Sequence, residues 1–121
     1  MDVRLKRAYE PATAADGHRV LIDRIWPRGI SREEARLDEW ARVLAPSSEL
    51  RKWFGHDPAR FDEFRRRYKS ELAVQEKKLS ELRGRAREGT LTLVYGARDT
   101  EHNDAVVVAE LLCSGAVENP A

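Results

Sequence analysis

Val20–Ile30 reads VLIDRIWPRGI. Its first half, VLIDRI, is β-branched and nearly continuous, the pattern of a strand covered on both faces. Pro27 and Gly29 end it. A buried strand that runs into Asp23, Arg24, Trp26 and Arg28 delivers costly polar groups to its carboxyl end. In an open parallel sheet, ligands sit beyond that end. The stretch therefore predicts a sheet strand over 20–25 and a site at its rim.

Working outward, TLTLVYGA from Thr90 is a second buried strand, and VRLKRAY from Val3 alternates like a half-buried or edge strand. EPATAADGHR is a loop. SREEARLDEW opens on a capping box, Ser31 with Glu34, and Leu37, Trp40, Val43 and Leu44 follow at helical spacing until Pro46. SSELRKWF is a short helix capped by Ser47 or Ser48 and closed at Gly55. Asp57 and Pro58 suit the cap and first position of a long helix. Its apolar stripe runs Phe61, Phe64, Tyr68, Leu72, Leu79, Leu82, Ala86, and Gly89 ends it. DAVVVAELLC is a final helix whose valines need burial to overrule their weak propensity. A tail at about 115–121 is expected to fray.

Buried strands joined by long helical crossovers imply an α/β fold: a small, mostly parallel sheet flanked by helices. One compact domain is expected over 1–121, with one long helix. The 36% charged residues must crowd the solvated faces, yet the net charge is only +1. That balance argues against indiscriminate binding to nucleic acid or an acidic membrane. Cys113 is the single cysteine, so no intrachain disulfide forms; its apolar helical setting predicts a buried, inert thiol. The charges at Asp2, Arg4, Lys6 and Arg7 do not suit a signal-peptide core, and no apolar run approaches a membrane span. A cytoplasmic protein is expected.

If the strands at 20–25 and 91–95 lie parallel and close, the loops Asp23–Gly29 and Gly96–Asn103 share one rim. Arg28 and Arg98 then offer forked donors for carboxylate or phosphate, with Arg24 and Asn103 beside them. The start of the final helix, Thr100–Asp104, adds amides and partial positive charge. Asp23, Asp99 and His102 are the candidate catalytic groups: Asp23 orients His102 or acts as a base. Trp26 or Trp53 would form an aromatic wall, and His56, in WFGHDP, is a further ligand-binding candidate.

Plainer roles compete with these. Asp23 and Arg24 can pair with local charges, Trp26 and Pro27 can plug the sheet's end, and Arg98, Asp99 and His102 can cap the last helix. His56, His102 and Asp23 or Asp99 match no familiar metal-ligand spacing, so no metal site is assigned, and no cofactor motif is present. There is no GxSxG elbow. Three functional readings follow. The first is binding of a small anionic ligand, with or without hydrolysis or group transfer. The second is nucleic-acid binding through Arg65, Arg66, Lys69 and Lys77. The third is a non-catalytic interaction module, such as a homodimer.

KRAYEPATAADGHRVLIDRIWPRGIS, LDEWARVLAPSSELRKWFGHDPARFDEFRRRY and LTLVYGARDTEHNDAVVVAELL together resemble the YeaO-like branch of the family called domain of unknown function 488. The likeness runs from Val3 to about Leu112 and implies a compact α/β domain. Other branches of that family carry an LvDvR…P.SR-like strand end and a C.E…CHR-like loop before the last helix. Asp23, Pro27 and Arg28 resemble the first by position, and the loop around Arg98, Asp99 and His102 resembles the second. No cysteine precedes His102 here, so thiol chemistry does not carry over. Asp104 stands where YeaO-like sequences often show a histidine, which weakens a two-histidine reading.

Overall fold

The computed structural model describes residues 1–118. Four strands, β1 (Asp2–Arg7), β2 (His18–Leu21), β3 (Glu39–Trp40) and β4 (Thr90–Tyr95), form one sheet in the order β1-β4-β2-β3, every pair parallel. The helices are α1 (Arg32–Ala35), α2 (Ser48–Phe54), α3 (Phe61–Leu72), α4 (Glu76–Glu88) and α5 (Asp104–Glu118). The fold is the α/β arrangement that the strand pattern predicts.

Side-chain alternation divides the sheet's two faces. Val20, Ile22, Leu91, Leu93 and Tyr95 join the main core with the helices. Leu21 and Val94 point the other way, into a smaller cluster with Ala8, flanked by Trp26, Ile30, Leu37 and Trp40. Every residue of the predicted stripe on the long helix is buried. That helical run extends from Pro58 to Glu88, tightened to 3-10 geometry at Pro58–Arg60 and Ala73–Gln75. Ser47 caps α2 by accepting the Leu50 amide, and Gly55 closes it at φ 56.

Three expectations are corrected. β2 covers His18–Leu21 rather than 20–25. The Ile22 amide still donates to the Val94 carbonyl at 3.0 Å, but the Asp23 carboxylate then turns to the Gly96 amide and Ile25 is exposed. The capping box of Ser31 and Glu34 forms, but its helix lasts one turn and stops at Arg36 in the left-handed region. The buried Arg19 guanidinium takes the Ala35 carbonyl, and Asp38 exchanges backbone and side-chain bonds with Arg19, which lays Glu39–Trp40 beside β2 as a fourth strand. Strand pairing here overrules helical spacing. Cys113, finally, is exposed rather than buried, because α5 turns it away from the core.

The chain enters β2 through Gly17 at φ +63, where a Cβ would stand 2.3 Å from the Thr90 carbonyl oxygen. The α5 valines Val107 and Val108 are buried. The backbone is helical to Glu118; the rest of the tail expected to fray, 119–121, lies outside the described residues. Among the described residues, no helix is long and apolar enough to cross a membrane.

Candidate functional site

Parallel pairing of β2 with β4 sets Leu21 opposite Val94, so the two strands end side by side. Two positions further out stand Asp23 and Gly96, joined by the 2.8 Å bond from the Gly96 amide to Asp23 Oδ2. A Cβ at Gly96 would sit 3.1 Å from that oxygen, which accounts for the glycine. Above this junction α2 and the start of α5 enclose a cavity of about 540 Å³.

Seven of the ten candidate residues line this cavity: Asp23, Arg24, His56, Arg98, Asp99, His102 and Asn103. Three do not. Arg28 is exposed and lies outside it, its carbonyl accepting the Tyr9 hydroxyl. Trp26 donates its indole N–H to the Ile30 carbonyl at 2.6 Å and packs edge-on against Trp40, so it closes the smaller core. Trp53 lies under the guanidinium groups of Arg60 and Arg67. The apolar wall is instead supplied by Phe54 and Phe64, whose rings stack 4.3 Å apart. Arg51, one helical turn before Phe54, takes the place foreseen for Arg28.

His102 is oriented by Asp99, not by Asp23: its Nδ1 lies 2.8 Å from Asp99 Oδ2. Asp99 also accepts the Glu101 and His102 amides; the Glu101 amide foremost, then the His102 ring and amide, hold its carboxyl below the usual range against the opposing effect of burial. The Phe61 ring meets the imidazole edge-on at 5.1 Å. Asn103 is buried and structural: its amide donates to the Asp99 carbonyl and its oxygen accepts the Val106 amide, capping α5. Asp104 Oδ1 accepts the Ala105 amide. The helix start thus has side-chain acceptors of its own at amides that were expected to serve an anion.

Asp104, given no site role by the sequence, also lines the cavity. Burial, above all, and then the charge and hydrogen bond of Asp23 push its carboxyl well above the usual range. Two neighbouring carboxyl groups disfavour carrying charge together, so Asp104 holds its proton more tightly than an ordinary aspartate. The only warning in the sequence was a carboxylate directly after the HN pair. By contrast, Arg24, Arg51 and Arg98 are exposed, and among the described residues none has a carboxylate within 4.0 Å. Arg24 makes one long contact, 3.4 Å to the Pro46 carbonyl. Among the described residues, no three His, Cys, Asp or Glu side chains are grouped so that they could hold a metal ion.

The basic residues of the long helix are differently placed. Arg65 pairs with Asp62 and Glu110, Arg66 and Arg67 with Glu63, and Lys69 with Glu110. Most of that face is already neutralised by its own acids.

Fold and site define a small parallel α/β domain with a mixed-charge pocket at the carboxyl edge of its sheet. The chain belongs to the inactive DUF488-N3 subclade, whose family model matches residues 2–119. It is 43% identical to the uncharacterized protein YeaO of Escherichia coli over 114 residues, 94% of this chain and 99% of that one. It is 44% identical over 110 residues to the uncharacterized proteins Rv3073c of Mycobacterium tuberculosis and Mb3100c of Mycobacterium bovis, covering 91% of this chain and 92% of each. No solved structure matches the chain.

Proposed function

We propose that this protein binds a small anionic ligand, bearing a phosphate or carboxylate, in the cavity between the ends of β2 and β4 and helix α2. The observation that carries the proposal is that Arg24, Arg51 and Arg98 line one cavity with no carboxylate within 4.0 Å of any of them among the described residues. A forked guanidinium donor without an acid partner is suited to a ligand's oxyanion. His102, fixed by Asp99, adds a hydrogen-bonding ring nitrogen, and Phe54 and Phe64 give an apolar wall for the ligand's body.

Binding is favoured over bond cleavage on two counts. Among the described residues, no hydroxyl or thiol side chain lines the cavity, so an obvious nucleophile is missing. The subclade itself is described as inactive. Calorimetric titration with ethyl phosphate tests the reading. Saturable binding is expected, weakened about tenfold or more in Arg51→Ala and in Arg98→Ala, as befits the loss of a charge-assisted bidentate contact. Absence of saturable binding, or equal affinity in all three proteins, would remove the proposal.

A further inference from the structure

The cavity holds acids and bases that do not pair with one another. Asp23 and Asp104 are half-buried, each fixed by a backbone amide, of Gly96 and of Ala105. The three arginines are exposed at the rim. Among the described residues, no cationic side chain lies within 4.0 Å of either acid, although the arginines line the same space. The chain's own cations therefore leave the carboxyl pair without a positive partner and keep their own donors free. A ligand carrying both charges would satisfy both ends.

We propose that the cavity takes a bipolar ligand, its anionic group held by the rim arginines and an ammonium group seated on Asp23 and Asp104. This rests on the anion-binding reading and names the ligand class within it. An ammonium has several N–H donors and can bond both carboxylates at once. Where Asp104 carries a proton the balance is simple: the protonated amine binds, the O–H bond of Asp104 breaks, and one proton leaves to solvent. Of the other titratable groups around the pair, Tyr68, Glu71 and Asp99 have partners of their own, whereas His56 lines the cavity with no side-chain hydrogen bond among the described residues. On α3, the Tyr68 hydroxyl donates to the Leu44 carbonyl and Glu71 accepts from Ser47. Beyond β4, Asp99 holds His102, and on β4 Tyr95 is buried with its phenol pushed up, chiefly by burial.

The test compares phosphoethanolamine with ethyl phosphate, which share the phosphate and differ by the ammonium. Calorimetry at pH 7 in two buffers of different ionisation heat counts protons released. The expected result is a preference of about tenfold or more for phosphoethanolamine, one charge-assisted contact's worth, with a net release of protons. In Asp104→Asn, and independently in Asp23→Asn, both the preference and the proton release should vanish. Equal affinity for the two probes without proton release would overturn the inference while leaving the anion reading in place. Binding of neither probe would overturn both.

Discussion

The chain enters β2 through one charged cluster and leaves it through another, and the two are matched differently. Before the strand, the single acid Asp16 accepts from Lys6 Nζ at 3.1 and 3.2 Å, from the Thr13 amide and hydroxyl, and from Arg19 Nη1 at 2.7 Å. The remaining Arg19 donors in use, Nε and Nη2, go to the Ala35 carbonyl at 3.0 and 2.8 Å. After the strand, Asp23 faces another acid, while three arginines nearby have no acid within 4.0 Å among the described residues. A buried charge is tolerated when it is paired and hydrogen-bonded. The first cluster meets that condition from within the chain and so serves the fold. The second leaves its charges without opposite partners among the described residues, which is what the proposed anion binding draws on.

The contrast is sharpest in stability. Arg19→Ala strips Asp16 of its closest partner and leaves the Ala35 carbonyl buried without its donors. Breaking a buried ion pair from one side costs about 3–5 kcal/mol, so a fall in unfolding free energy of that size, read from a denaturant titration, is expected. A loss under 1 kcal/mol would mean that Lys6 alone satisfies Asp16, and that the cluster is less committed to the fold than its geometry indicates.

Acid should separate the clusters by sign. Burial alone would raise the Asp16 carboxyl; the Thr13 amide and the Lys6, Thr13 and Arg19 side chains overrule it and hold it at about 2, against 3.8 when unfolded. A depressed carboxylate contributes stability above its unfolded value and loses it as pH falls toward the folded one. Asp16→Asn should therefore be less stable than the parent at pH 7, by about 1–2 kcal/mol allowing for partial screening, and the gap should close by about pH 2. Asp104 is raised instead, so its contribution is complete at low pH and disappears as pH climbs through the folded value. Asp104→Asn keeps an oxygen for the Ala105 amide and gives Asp23 a donor at every pH. It should melt higher than the parent in alkaline buffer. A lower melting temperature there would contradict the raised Asp104 carboxyl.

These clusters also mark where the sequence could be read. The run through Ile22 and the Phe61–Ala86 stripe were legible because burial repeats with the period of the element that carries it. Topology alone then put Asp23 and the Gly96–Asn103 loop on one rim. The β3 strand was not legible: its two residues owe their conformation to Asp38 and Arg19, a pairing between distant positions that no local pattern encodes. Arg28 and Arg51 were exchanged for a similar reason. Arg28 belongs to a loop that bends back toward Tyr9, whereas α2, anchored at Ser47 by Glu71, carries Arg51 over the sheet's end. Which of two exposed arginines faces a cavity depends on that docking, and docking is a tertiary fact.

The smallest effect discriminates most between the two clusters. Arg51 and Arg98 are exposed and have no acid partner among the described residues, so neither gives the fold an ion pair to lose. Surface substitutions away from specific contacts change stability by less than about 0.5 kcal/mol. The double variant Arg51→Ala/Arg98→Ala should therefore unfold at the parent's denaturant midpoint. In ethyl phosphate, however, the parent should gain thermal stability, because a ligand that binds only the folded state raises its melting temperature, and the double variant should gain almost none. Equal gains would move the anion to Arg24 or away from the cavity. A large intrinsic loss, above about 1 kcal/mol, would show that these arginines serve the fold as Arg19 does, and the distinction between a matched and an unmatched cluster would dissolve.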